Sequence, residues 1–151
     1  MLLIEDKRQT ISLFSNAELL VFKENYRTNK MTSKLTNTID LSESIPSKQW
    51  GEFFDQFSIN NSGRNISIEI INPELGNEEL VKDSPLLAMI YDRPGKGDNL
   101  AIEVGMKEVT YAHNIDAPTS VSTGQNNQGD TIAISITDPT GTQTLVKLQA
   151  S

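Results

Sequence analysis

Residues 45–63, which read IPSKQWGEFFDQFSINNSG, contain the strongest structural signal in the chain. Ser47 can cap a helix through its hydroxyl, and residues 60–63 are of types that tolerate the left-handed backbone found at helix ends. The large apolar residues between these two points are spaced i, i+3, i+4 and i+7, as on one face of an amphipathic helix: Trp50, Phe53, Phe54 and Phe57. Because burying each ring contributes about 2 to 3 kcal/mol, we expect these four residues to be the structural anchor of the domain.

The apolar period changes from 3.6 to 2 after this helix. Apolar and polar residues alternate over residues 66–71, 100–104, 109–115 and 132–137, residues 86–91 are continuously apolar, and residues 144–148 close the chain. The charged residues between 78 and 83 are interpreted as a solvated loop. No connector is long enough for the crossover that a parallel strand pair requires. The pattern predicts a mainly β, α+β fold with about six antiparallel strands, in a meander or partly closed small barrel, covered by one N-terminal amphipathic helix.

Charge divides the chain near residue 45. Residues 1–44 carry six acids and six bases, whereas the remainder carries fourteen acids and seven bases. Residues 28–44 have little apolar surface and are interpreted as a linker, so we expect residues 1–44 to be a partly disordered extension and residues 45–151 to be a single folded domain. Within the extension, residues 13–22 are apolar enough to form a short helix or a strand. Met31 offers an alternative start, which would make residues 1–30 an optional addition.

Composition excludes several classes of function. The 20 acids against 13 bases give a net charge of −7, which removes the main attraction for nucleic acids and for anionic membranes. The absence of cysteine excludes disulfides and thiolate sites. The sequence shows no secretory leader. Its apolar runs are much shorter than the roughly 20 residues that a membrane-spanning helix needs. We therefore expect a soluble cytoplasmic protein with no nucleic-acid or membrane partner.

Candidate catalytic chemistry is sparse. The chain has one histidine, His113, which strand alternation places beside aliphatic residues, and this favours a structural role. One imidazole without thiolates or a calcium loop predicts no metal site, and no motif calls for a cofactor. Tyr91, Asp92 and His113 remain as candidate contacts to a ligand or a partner.

Several motifs are shared with a known family: the string Trp50-x-x-Phe53-Phe54-Asp55-x-Phe57-Ser58 after Ile45-Pro46, then Pro85-Leu86 with Tyr91-Asp92, His113-Asn114-Ile115-x-x-Pro118, and Asp138-x-x-Gly141-x-x-Thr144-Leu145. In their order and spacing, residues 45–151 resemble the bacterial domain-of-unknown-function family 5335. The chain departs from the family pattern at Asn60, Asn61 and Asn65, just after the helix. The resemblance implies a domain boundary near residue 45, and it implies no activity, cofactor or catalytic residue.

Two hypotheses about function follow. The first is a non-enzymatic accessory module that binds an unknown protein partner, or forms a homodimer, through an exposed sheet edge. The alternative is a small-molecule binder or weak hydrolase with a pocket near Tyr91, Asp92 and His113. A carboxylate within hydrogen-bond reach of His113, in a concave pocket, would favour the alternative.

Overall fold

The computed structural model describes residues 39–150, and the expectations for residues 1–38, including those for residues 13–22 and Met31, lie outside them. Its elements are β1 (Glu43–Ser44), a 3-10 turn (Ser47–Gln49), α1 (Trp50–Asn61), β2 (Asn65–Asn72), β3 (Gly76–Asp92), β4 (Asn99–Val104), β5 (Tyr111–Asp116), β6 (Ser120–Gln125), β7 (Thr131–Thr137) and β8 (Gln143–Leu148). The strands form one antiparallel sheet in the order β1-β6-β7-β8-β2-β3-β4-β5. The predicted mainly β, α+β fold is confirmed, and the sheet is open because β1 and β5 end this order.

The described residues contain eight strands rather than about six. The first addition, β1, has only two residues and pairs with β6. The second, β6, has the sequence SVSTGQ, in which Val121 and Thr123 are the buried positions of the apolar face. A strand whose core face carries a threonine has no clear alternation of apolar residues, so sequence periodicity missed it. Because β1 begins before residue 45 and residues 1–38 are not described, the predicted domain boundary stays a prediction.

Strand β3 is 17 residues long and has two different partners. Its first half, from Gly76 to Pro85, pairs with β2, and its second half, from Leu86 to Asp92, pairs with β4. The interpretation of residues 78–83 as a solvated loop was therefore wrong. The charged side chains of this segment are exposed, and only Val81 among residues 76–83 is buried, which concealed the strand in the sequence.

The predicted helix is present, with a different beginning. The chain enters it through the 3-10 turn, in which the Gln49 N–H donates to the Pro46 carbonyl over 2.9 Å. Ser47 makes no capping hydrogen bond, so this part of the prediction was wrong. The helix ends as expected: Asn61 donates to the Phe57 carbonyl, and Gly63 adopts a φ of +91° that favours glycine.

Three of the four rings on the helix are buried. Trp50, Phe54 and Phe57 are at most 5% exposed, whereas Phe53 is half-buried at the margin of the core. The rings pack against one another, with centroids 5.1 Å apart for Phe53 and Phe54. They complete an apolar interior to which the sheet contributes the expected isoleucines and their neighbours: Ile66, Ile68, Leu86, Met89, Leu100, Ile102, Val104, Ile134, Ile136 and Val146.

Helix α1 also covers a sheet edge, on the second half of β3. The Ser58 hydroxyl lies 2.8 Å from the Met89 nitrogen and 3.1 Å from its carbonyl oxygen, so it can accept from one and donate to the other. Beyond the helix, the Gly63 N–H donates to the Leu86 carbonyl, and the Leu86 N–H donates to the Arg64 carbonyl. Backbone groups of β3 that no strand pairs with are thus satisfied by the helix and its following turn.

Candidate functional site

A groove of about 910 Å³ opens beside Trp50 at the start of the helix. Two of the predicted contact residues, Tyr91 and Asp92, line it, and His113 is not among its lining residues. The Trp50 Nε1 donates to the Ile45 carbonyl over 2.8 Å, and the Trp50 and Tyr91 rings meet edge to face at 5.5 Å. These contacts fix one wall of the groove.

The charges around this groove balance. Its bases are Lys48, Arg93 and Lys96, and its acids are Asp55, Asp92 and Asp98. Desolvation, followed by the nearby Asp98 carboxylate, raises the pKa of Tyr91 above its usual value, so the phenol stays protonated at neutral pH. Tyr91 is therefore a neutral hydrogen-bonding group and not an activated base.

His113 lies on the core-facing side of β5, opposite Ile102 in β4. Its Nε2 is 3.2 Å from the Thr144 Oγ1 in β8, and desolvation lowers its pKa, so the ring is neutral near pH 7. Strands β5 and β8 are not neighbours in the sheet, so this contact shows that the sheet curves enough to bring β5 close to β8 across its core face. The recorded partner of the ring is a hydroxyl rather than a carboxylate.

The structure thus brings Tyr91 and Asp92 together and places His113 elsewhere. In the sheet register, Tyr91 lies in a row with Leu100 and Ile115, while His113 lies in the next row with Met89 and Ile102. Both Leu100 and Ile102 are completely buried between the two groups. The three residues do not share one pocket, and this arrangement does not assemble the acid and base of a hydrolase.

Strand β5 ends the sheet, and its outer side pairs with no strand among residues 39–150. The Ala117 N–H donates to the Asp98 carbonyl over 2.8 Å, directly after the last residue pair of β4 and β5. Since antiparallel hydrogen bonds alternate, Tyr111, His113 and Ile115 bond to β4. The N–H and C=O groups of the intervening residues, Ala112, Asn114 and Asp116, therefore point away from the sheet.

Three large exposed apolar side chains belong to β5 and to the turn that precedes it. Met106, Val109 and Tyr111 are 76%, 46% and 39% exposed, and they are three of the six large exposed apolar residues in the described part of the chain. Gly105 holds the turn that presents them, because a Cβ there would lie 2.0 Å from the Glu108 carbonyl oxygen. We call Met106, Val109 and residues 111–116 the β5 edge. The sequence predicts an exposed sheet edge, but it does not indicate which strand lies at the end of the sheet.

None of the helices between residues 39 and 150 has the length and apolarity needed to span a bilayer. Over the same range, no three histidine, aspartate or glutamate side chains come together in a way that could hold a metal ion.

Comparison with known proteins identifies the family. Residues 41–151 match the model of a family of unknown function, DUF5335, and the chain belongs to that family. It is 29% identical over 107 residues to an uncharacterized protein of Aquifex aeolicus (strain VF5), an alignment that covers 71% of this chain and 91% of that protein. No solved structure matches the chain. The resemblance to this family, stated above from the four sequence motifs, is confirmed.

Proposed function

We propose that this protein is a cytoplasmic, non-enzymatic accessory module that binds another protein chain through the β5 edge. The observation that supports the proposal is the outward-facing backbone of Ala112 and Asn114 beside three exposed apolar side chains. An extended segment of a partner can add to such an edge as a further strand, with main-chain hydrogen bonds supplying affinity and side-chain contacts supplying specificity.

The β5 edge lacks the features that usually keep an edge strand from pairing with another chain. Natural edges are protected by charged side chains, prolines or bulges, because bare edges pair with other chains. Within β5, the sequence YAHNID carries one formal charge, on Asp116 at its end. The pairing of β5 with β4 runs without a register shift from Asn99 to Val104. The strand is therefore regular and almost uncharged where a partner strand would lie.

Site-specific photocrosslinking in native cells tests the proposal. A photoreactive amino acid at Asn114 should give discrete protein adducts, whereas the same group at Glu79, an exposed strand residue outside the β5 edge, should give none. Tyr111→Lys in the chain labelled at Asn114 should abolish the adducts, because it puts a charge on the apolar patch. An adduct twice the mass of the 16.7 kDa chain would identify a homodimer. Equal labelling from positions 114 and 79 would contradict the proposal.

A further inference from the structure

A second groove, of about 1020 Å³, lies along another side of α1, between the helix and the β6–β7 loop. It is lined by residues 52, 53, 56 and 60 of α1 and by Gln49 just before the helix, whereas the groove beside Trp50 is lined by residues 50, 51 and 55 of α1 and by Lys48 of the 3-10 turn. The two grooves therefore use different faces of one helix. The volume is close to the upper limit of about 1,000 Å³ that is usual for ligand-binding clefts.

The floor of this second groove is apolar. Phe53 and Phe57 stack with their centroids 5.9 Å apart and their planes 23° apart, and Phe53 remains half-buried where the groove opens. Around these rings lie Ile45, Ile132 and Leu148. A flat ligand surface of CH groups can pack on a floor of this kind and lose its contact with water.

The walls of the groove are rich in amides. They contain six amide side chains, namely Gln49, Gln56, Asn60, Asn61, Asn126 and Gln128. Its charged lining residues are two acids, Glu52 and Asp130, and one base, Arg64. Each amide offers both a donor and an acceptor, which suits groups that are themselves donor and acceptor at once. The near balance of charge, in a chain of net charge −7, does not favour an anionic ligand.

Two of the six amides hold the walls in place. The side-chain Oδ1 of Asn126 accepts from the backbone N–H groups of Gln128 and Asp130, each over 2.9 Å, which fixes the loop. Asn61 donates to the Phe57 carbonyl and accepts from Arg64 over 2.8 Å, which fixes the end of the helix. The other four amides, on Gln49, Gln56, Asn60 and Gln128, are exposed and within reach of a ligand. Because the loop and the helix end are already ordered, less conformational entropy is lost when a ligand binds.

Arg64 closes one end of the groove with an unsatisfied donor. Its two terminal nitrogens donate to Asn61 and to the Gln149 carbonyl, while its Nε is buried and has no partner within residues 39–150. Buried donors are nearly always paired, so an unpaired one calls for an explanation. Because this nitrogen is buried, a ligand in the groove does not reach it, and Arg64 contributes to the wall through its two paired terminal nitrogens.

From these observations we infer that the second groove binds a neutral oligosaccharide. Sugar hydroxyl groups are donors and acceptors that match the four exposed amides, and the CH face of a sugar ring packs on Phe53. The helix rises about 15 Å between residues 50 and 60, which leaves room for several sugar rings. Because the groove is open to solvent, we expect weak binding, with a dissociation constant of about 1 mM.

A titration of the isotope-labelled full chain, followed by NMR, tests this inference. The probes are cellotetraose, maltotetraose and chitotetraose, with a sulfated tetrasaccharide and a neutral hexapeptide for comparison. At least one neutral oligosaccharide should shift the side-chain amide signals of Gln56, Asn60 and Gln128 in a saturable way. The double variant Gln56→Ala/Asn60→Ala should weaken binding about ten-fold, because it removes two polar partners. Asn77→Ala, an exposed asparagine on β3, is the matched control and should change nothing.

Three outcomes would overturn the inference: no saturable shift with any neutral oligosaccharide, shifts only with the sulfated sugar or the peptide, or shifts that survive the double variant. Tyr111→Lys should leave the titration unchanged, because Tyr111 lies in the β5 edge and not in this groove. Failure of the sugar titration therefore leaves the crosslinking result at Asn114 unaffected, and the two proposals can fail separately.

Discussion

The part of the sheet formed by the second half of β3, β4 and β5 has two borders, and they are treated differently. At one border, α1 covers β3, with the Ser58 hydroxyl bonded to both backbone groups of Met89. At the other, β5 turns the backbone of Ala112 and Asn114 outward, and this outer side pairs with no strand in the described residues. The covered border is part of the core, and the open one is available for a contact. The helix that carries the buried rings therefore also covers the neighbouring sheet edge.

The first half of β3 offers a second contrast with β5. Strand β4 pairs only with residues 86–92, so the corresponding side of residues 76–85 has no strand beside it among the described residues. That segment carries exposed Glu78, Glu79, Lys82 and Asp83, whereas β5 carries only Asp116. Charges disfavour the approach of another strand, so of these two edges β5 is the one suited to strand addition.

Removing the cover of the closed border should have the largest effect. Phe54 is completely buried, and Phe54→Ala should destabilise the domain by about 3 to 5 kcal/mol through the lost burial and the cavity. Half-buried Phe53 provides the matched control. Phe53→Ala should cost about half as much, because a half-buried ring removes less apolar surface from water when the domain folds. Denaturant unfolding of both variants measures the difference. Equal losses would show that the two rings contribute alike.

A smaller effect is expected for the hydrogen bonds at the same border. Ser58→Ala leaves the Met89 backbone groups without their side-chain partner, which should cost about 1 to 3 kcal/mol. Ser122→Ala on β6 is a control that leaves these two bonds intact. Hydrogen exchange should also become faster at the Met89 amide in the Ser58 variant. Unchanged exchange there would mean that the helix does not protect this edge.

Acidification should lower the free energy of unfolding through His113, which lies on β5 at the open border. Burial lowers the pKa of His113 in the folded state below that of the unfolded chain, so the unfolded state binds the proton more readily. The contribution of the neutral ring is present above the unfolded pKa of about 6.5 and is lost as the pH falls through the folded pKa. His113→Gln should reduce this pH dependence. A wild-type stability that rises on acidification through this range, in excess of the variant, would contradict the assigned direction.

The smallest effect on stability is expected at the β5 edge itself. Tyr111→Lys changes a 39% exposed side chain and should alter the free energy of unfolding by about 1 kcal/mol or less. The same variant should abolish the crosslinks from Asn114, which separates binding from folding. A loss of several kcal/mol would show that Tyr111 belongs to the core, and the contrast between the two borders would then disappear.

Periodicity predicted the elements whose buried faces are made of large apolar side chains. The helix with its four aromatic rings and the strand containing Ile66 and Ile68 are clear cases. It missed β6, whose buried face includes Thr123, and the first half of β3, where charged residues surround Val81. Local patterns report how much apolar surface a segment has, and these two segments have little. Their pairing depends on neighbouring strands, which a local pattern does not contain.

The candidate sites also depend on contacts between distant segments, which local sequence patterns do not contain. Tyr91 and Asp92 are adjacent in sequence and share a groove, whereas His113 pairs with Thr144, 31 residues away. The amide groove joins α1 to the loop containing Asn126 and Gln128, and no motif connects those two segments in the sequence. The amides themselves are visible in the sequence, but their placement along one cleft is not.

The order of residues by itself determined the helix with its aromatic face, the alternating strands, the acidic charge and the absence of thiol chemistry. All of these depend on residue types and on spacings within a few positions. The tertiary structure alone decided which strands became neighbours, that the nearly uncharged strand β5 came to lie at an end of the sheet, and that His113 was separated from Tyr91. The physical reason is that alternating strands have interchangeable local patterns, and only the packing of their apolar faces around the helix selects one arrangement.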